Sequence, residues 1–294
     1  MDNIKLDPQL GLALTMTVEE RNQNLDLNVG YNPNGAIWEV IVQYVGDLSS
    51  IVSELAVDVV YLFGDFAVIR IAESDIERLL NYPEIAYVEK PRTLELGTFY
   101  RQQEENVFLG QGMEGIAASC IPKVRRQPFS LTGLGTLILI ADSGIDYAHP
   151  DFRNADGSTR IVALWDQSLS GNPPEGYVIG SYYDATTINR ALQADSLSER
   201  NQIVPSFDRS GHGTHVAGIA AGNGRASAGR IVGVAPQAEL IVVKLGSGSD
   251  ENNAKTTQLM QAVTFAVGIA EQLNRPLSIN ISYGNNYGAH EPCN

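Results

Sequence analysis

The feature that most restricts the fold of this 294-residue chain is an apolar run, Thr136-Leu137-Ile138-Leu139-Ile140-Ala141, that ends on an acid, Asp142. A strand so uniformly apolar must be covered on both faces, as in a parallel sheet held between two layers of helices. The residues downstream fit that arrangement. His212 to Gly222 reads as a helix rich in small residues, Ala238 to Leu245 as a strand, Thr256 to Asn274 as a helix and Leu277 to Tyr283 as another strand. Alternating strands and helices predict a doubly wound α/β sheet, in which ligands collect at the carboxyl ends of strands. Asp142 and Ser282 both fall near such ends.

A smaller unit precedes this one. Ile37 to Val45 has the β-branched content of a strand, and Asp47 is placed to cap a helix whose Leu48, Ile51, Val52 and Leu55 share one face. Two further strands, Asp58 to Phe63 and Phe66 to Ile71, flank the turn pair Gly64-Asp65. Ser74 then heads a second amphipathic helix, and Ile85 to Val88 is a last strand. The order β-α-β-β-α-β is the ferredoxin-like, or split βαβ, arrangement. From Lys90 to Phe129 no periodicity is sustained and Pro91, Pro122 and Pro128 intervene, which reads as a linker. The expected division is a domain at 1–97, a linker at 98–130 and a second domain at 131–294.

A formal net charge of −14 argues against nucleic acid or an anionic membrane as partner, since phosphate contact needs clustered Lys and Arg. The one compact basic run, Lys123-Val124-Arg125-Arg126, is a solvated connector. Cys120 and Cys293 can form at most one disulfide and have no metal-site or redox spacing. Leu10 to Leu14 is too short for a secretory signal, and no run reaches membrane-spanning length, so a soluble chain outside the general export route is expected.

The chemistry concentrates at Asp142-Ser143-Gly144 and at Gly211-His212-Gly213-Thr214-His215. A carboxylate fixed at a strand end can hold an imidazole in one tautomer and stabilise the imidazolium that forms when the ring takes a proton. Gly144 permits a tight turn after the acid, while Gly211 and Gly213 let backbone pass close to His212 and leave its ring accessible. Taken singly, Asp142 is equally a loop or cap residue and His212 an ordinary helix-entry residue. A zinc pair formed by His212 and His215 does not suit the spacing, because the two are three apart and lack the Glu of a His-Glu-x-x-His site. His215 is expected to pack or hydrogen-bond within the helix, and His149-Pro150 to shape a turn.

Together, the segments Asp142 to Phe152 and His212-Gly213-Thr214-His215-Val216-Ala217-Gly218 resemble the Asp and His signatures of the subtilisin-like serine proteases, the subtilases (peptidase family S8). The likeness continues through Gly233-Val234-Ala235-Pro236-Gln237-Ala238 and through Ile279 to Gly284, which is similar to the family's substrate-binding strand. It implies endopeptidase hydrolysis through an acyl-enzyme, with Asp142 as orienter and His212 as general base and then acid. Backbone of Ser282, Tyr283 and Gly284 would pair with an extended polypeptide substrate. The first domain resembles the subtilase propeptide, an intramolecular chaperone and inhibitor whose tail occupies the cleft, with processing expected around Leu96 to Thr98.

The resemblance also carries departures. The family's nucleophile lies in a Gly-Thr-Ser segment, and these residues contain none, so the chain is expected to be a truncated N-terminal portion, inactive alone and without a nucleophilic role for Ser282. The alternatives are a non-catalytic pseudoprotease, an inhibitor acting through the first domain, or half of a split enzyme. An insertion between Asp142 and His212, including Leu164-Trp165-Asp166-Gln167, Gly171 to Gly176 and Ile188 to Leu192, together with Leu27-Asn28-Val29-Gly30-Tyr31, resembles the clostridial Csp-like group, which would imply association with spores. No cofactor or metal is expected. Calcium is left unassigned, because Asp151 matches a calcium ligand of some subtilases but the Asn223 to Arg230 loop does not supply the rest.

Overall fold

In the computed structural model, which describes residues 4–96, 130–246 and 254–284, the chain opens with two helices, α1 (Pro8–Thr15) and α2 (Val18–Arg21). Sequence periodicity does not reveal α1. It is short, capped by Asp7, whose carboxylate accepts the Leu10 amide, and started by Pro8. Leu10 and Ala13 drop into the core below it. Arg21 is buried beside the same core, ion-paired to Glu73 at 2.7 Å and stacked 4.3 Å over the Tyr31 ring.

An antiparallel sheet comes next, built of β1 (Tyr31–Asn32), β2 (Ile37–Tyr44), β3 (Asp58–Tyr61), β4 (Phe66–Ala72) and β5 (Ile85–Glu89). β2 lies between β4 and β5, and β3 pairs outside β4. Helices α3 (Ser49–Leu55) and α4 (Ile76–Leu80) cover one face, which gives the expected βαββαβ order. Alternate residues Trp38, Val40, Val42, Ile69 and Ile71 meet Ile51 and Leu79 there, as a period of two demands. Asp47 accepts bonds from Ser49 in a turn just ahead of α3, and Ser74 sits inside a 3₁₀ turn (Glu73–Asp75) without capping α4.

The second portion holds a five-stranded sheet in which, from edge to edge, Leu277–Ile281 is followed by Leu137–Asp142, Glu239–Lys244, Ile161–Asp166 and Ser181–Asp184. β7 (Leu137–Asp142), β8 (Ile161–Asp166), β10 (Glu239–Lys244) and β12 (Leu277–Ile281) run parallel. β7 is buried along its whole length because its residues alternate between two cores. Leu137, Leu139 and Ala141 pack with Phe265 and Ala266, while Ile138 and Ile140 pack with Ala217 and Ala221. The elements supplying those cores are α5 (Ala185–Leu192), α6 (Leu197–Ile203), α7 (His212–Ala221) and α8 (Thr256–Gln272).

Three features depart from the sequence expectation. β8 is an internal strand of this sheet, whereas the sequence places Leu164 to Gln167 in an insertion; its six-residue run is too short for periodicity to separate strand from helix. β9 (Ser181–Asp184) pairs antiparallel to β8, so the sheet is not wholly parallel. Residues 167–180 contain no helix, and a return without a crossover helix favours an antiparallel neighbour. The strand expected from Leu277 to Tyr283 breaks at Ser282: β12 stays in the sheet, with Ile279 and Ile281 exposed, and β13 (Tyr283–Gly284) turns away.

β13 turns toward a segment whose sequence reads as linker. Thr93–Leu96 forms β6, antiparallel both to β11 (Ala254–Lys255) and to β13. Four residues of mixed polarity carry no strand signal, and their conformation comes from main-chain partners on either side. The two portions also meet through Val60, Leu62 and Val68, which pack against Tyr177 and Met260. Glu39 on β2 accepts a 2.6 Å bond from Thr257 Oγ1 in the first turn of α8 and lies 3.7 Å from Lys255 Nζ. Cys120, Cys293, His290, the basic run at 123–126 and the processing region beyond Leu96 lie outside the described residues.

Candidate active site

Four parallel strands end at one edge, and the register sets Asp142 beside Lys244, with Asp166 on the other side of Lys244. Asp142 is fully buried. Its Oδ1 accepts two bonds, from the Ser143 amide at 2.7 Å and from His212 Nδ1 at 2.8 Å. A carboxylate only accepts, so Nδ1 is the nitrogen that donates in this contact. The His212 side chain is 15% exposed, and its Nε2 is buried.

The placement of His212 is set by the start of α7. Gly211 adopts φ +74°, a left-handed conformation that turns the chain into the helix. Gly213 lies so close to the Asp142 turn that a Cβ there would stand 2.1 Å from the Gly144 carbonyl oxygen and 3.1 Å from Asp142 Oδ1. The glycine is therefore what lets His212 approach its carboxylate. All four opening amides of the helix are satisfied: His212 N by Ser210 Oγ, Gly213 N by Ser143 Oγ, Thr214 N by Asp208 Oδ2 and His215 N by the Gly211 carbonyl. His215 is exposed, which removes packing from the expectation that it packs or hydrogen-bonds within the helix. His149 does shape its turn, its Nδ1 accepting the Asp151 amide.

Asp208, Ser143 and Lys244 do not stand out in the sequence. Burial pushes the Asp208 carboxyl up, but bonds from the Thr214 side chain and backbone, from Ser143 and from the Gly211 amide outweigh it and hold the group below the usual carboxylate range. Lys244 is buried and its Nζ donates to the Phe207 carbonyl, anchoring the segment just before Asp208. The cluster Asp208-Arg209-Ser210-Gly211 before an apolar helix is the available signal, since such residues satisfy helix-start amides. Burial pushes the Tyr147 phenol up to about 12, and its hydroxyl donates to the Val204 carbonyl, a structural bond.

Of the three residues expected to pair with an extended substrate, Tyr283 lies opposite Leu96 and Gly284 opposite Glu95, both on β6 of this chain. Ser282 sits at the break between β12 and β13, and its Oγ accepts from Asn280 Nδ2. Asp151, matched above to a calcium ligand of some subtilases, is engaged by the chain itself. Its carboxylate already accepts the Ala226 amide, and the Arg225 guanidinium donates to the carbonyls of Arg153 and Asn154. No group of three acidic, His or Cys side chains able to hold a metal occurs among the described residues. No helix there is long and apolar enough to cross a membrane.

A family model described as "Subtilase family" matches residues 133–293, more than half of the sequence. The chain belongs to the subtilase family. A second model, "Csp protease B prodomain", matches residues 4–92, so the βαββαβ unit ahead of the subtilase portion is a prodomain of the Csp type. Among solved structures, the Clostridium perfringens CspB protease is 38% identical, with a TM-score of 0.53, over 60% of this chain and 34% of that one. Serine protease AprX of Bacillus subtilis is 32% identical over 154 residues, 51% of this chain and 26% of AprX. Subtilisin-like protease SBT2.2 of Arabidopsis thaliana is 28% identical over 204 residues, 63% of this chain and 22% of the plant protein. The chain thus spans about a quarter of these two curated subtilases.

Proposed function

We propose that this chain is the prodomain and the Asp–His portion of a subtilase endopeptidase that cleaves polypeptides through an acyl-enzyme. The observation that carries this is the 2.8 Å contact between His212 Nδ1 and Asp142 Oδ1 at the carboxyl edge of a parallel sheet. Asp142 orients the imidazole and stabilises its protonated form. His212 Nε2 takes the proton of the attacking serine hydroxyl and later delivers it to the leaving amine. Because no Gly-Thr-Ser occurs in these 294 residues and the matched stretches make up only 22% and 26% of those two subtilases, the serine and its oxyanion donor are assigned to a further portion of the enzyme.

Two experiments test this assignment. A protein extended to include a Gly-Thr-Ser portion is expected to hydrolyse unfolded polypeptide and to lose that activity in His212→Ala. The 294-residue chain is expected to resist a fluorophosphonate serine probe. Stoichiometric labelling of the short chain, or hydrolysis that survives His212→Ala, would refute the assignment.

A second reading concerns the prodomain, and β6 favours it. Thr93 to Leu96 lies as the middle strand between β11 and β13, with Leu94 buried against the core that holds Phe265 and Tyr283. We read this as inhibition in cis, in which the tail takes the place of an extended substrate. The isolated prodomain added to an active subtilase of this type should compete with peptide substrate; a purely non-competitive effect, or none, counts against it.

A further inference from the structure

We propose that Asp208 is a positioning residue that sets the Asp142–His212 geometry, an inference that rests on Asp142 as orienter and His212 as base. Its carboxylate joins the two segments that must meet. Oδ1 accepts from Ser143 Oγ at 2.8 Å and from the Gly211 amide at 3.0 Å; Oδ2 accepts from the Thr214 amide at 2.7 Å and from Thr214 Oγ1 at 2.6 Å. Ser143 adjoins Asp142 at the end of β7, while Gly211 and Thr214 flank His212 at the start of α7. One side chain therefore ties the strand that carries the acid to the helix that carries the base.

The two hydroxyl donors pass the constraint onward. The Ser143 hydroxyl, donating to Asp208, accepts the Gly213 amide at 2.9 Å, while the Ser143 amide donates to Asp142 Oδ1. Thr214 Oγ1, donating to Asp208, accepts the Asp146 amide at 2.8 Å, which pins the loop after Asp142 to the helix a second time. On the far side, Lys244 holds the carbonyl of Phe207 and so fixes the backbone from which Asp208 projects. The same Lys244 stands in register beside Asp142, so the brace closes on itself through the sheet.

The arrangement demands a carboxylate. Both oxygens face donors only, so an Asn would turn an NH₂ toward N–H and O–H groups on one side and lose those bonds. A neutral isostere of the same shape is thus expected to fail, which separates positioning from space-filling. Bonds to a charged acceptor are worth roughly twice neutral ones, so their loss weakens the hold on the first turn of α7 about tenfold or more.

The test reads His212 directly in the 294-residue chain, through the ¹⁵N-coupled proton on Nδ1 followed by NMR against pH. The unaltered chain is expected to show a low-field, slowly exchanging Nδ1 proton. Asp208→Asn is expected to broaden it by exchange at least about tenfold while the amide peaks of β7 and β10 stay in place. Because an Asp208 variant can fail to fold, Thr214→Val and Thr214→Ser form a second pair. Valine should weaken the signal in the same sense, and serine, which keeps the hydroxyl, should restore it. An Nδ1 proton in Asp208→Asn as sharp as in the parent, or equal signals in the two Thr214 variants, overturns the proposal. In the serine-containing enzyme the same substitution should lower kcat by about 10- to 100-fold with KM little changed. Should that enzyme hydrolyse nothing, the proposed function falls, while the Nδ1 readout still decides the role of Asp208.

Discussion

The Asp142–His212 side of the molecule is held by particular side chains, whereas the β6 side is held mainly by main chain. At the first, Asp208, Ser143, Ser210 and Thr214 each hold the start of α7 through side-chain hydrogen bonds. At the second, Thr93 to Leu96 pairs with two residues of β11 and two of β13, and a single buried side chain, Leu94, gives it grip. The difference matches what the proposed function asks of each. A pair that transfers protons has to be preorganised to within fractions of an ångström. A tail that blocks and later leaves needs only generic strand pairing, which any extended polypeptide can replace.

The largest expected effects lie on the catalytic side. In the serine-containing enzyme, His212→Ala should cost about 10⁴-fold or more in kcat/KM, and Asp142→Asn a comparable factor through loss of the correct tautomer. Gly213→Ala attacks the same geometry sterically, since its Cβ would overlap the Gly144 carbonyl. We expect it to destabilise the 294-residue chain by about 3 kcal/mol, read as a lower midpoint in urea unfolding. If Gly213→Ala leaves both stability and the Nδ1 proton unchanged, the contrast between a rigid wall and a removable one is broken.

The β6 side should respond more mildly and to different substitutions. Leu94→Ala removes the buried anchor and should weaken docking of the tail by about 2–3 kcal/mol, seen as faster proteolytic clipping beyond Pro91. Glu39→Gln removes a charge that accepts from Thr257 at the start of α8 and faces Lys255. It should raise the inhibition constant of the prodomain supplied in trans by about tenfold. A Leu94 variant that docks as well as the parent would mean that the face formed by Val60, Leu62 and Val68 holds the prodomain by itself.

The same contrast explains what can be read in the sequence. Asp142 and His212 are legible because a two-sided buried strand and a glycine-rich helix start leave strong local patterns around them. The βαββαβ order is legible because the strands are rich in β-branched residues and each helix has one apolar face. β6 is not, since its strand conformation comes from β11 and β13 and not from Thr93-Leu94-Glu95-Leu96 themselves. β8 hides in a six-residue run, and the antiparallel course of β9 depends on a connection whose path no periodicity records. Asp208 escapes notice because its partners, Ser143 and Thr214, come from two segments that only the folded chain brings together.

Acid sharpens the comparison last and least. Asp208 is held below the ordinary carboxylate range in the folded chain, so its contribution is present above the unfolded value, about pH 3.9, and is lost as pH falls through the lower folded value. Acidification below about pH 4 should therefore loosen the start of α7 before it disturbs β6, whose strand pairing is carried by main-chain bonds. Hydrogen exchange at the Thr214 amide should accelerate in that window, with the Leu94 and Leu96 amides lagging behind. In Asp208→Asn the acid dependence at Thr214 should vanish, because the group that titrates is gone. Persistence of that dependence in the variant would move the acid-sensitive element to another carboxylate and leave the catalytic side braced by something other than Asp208.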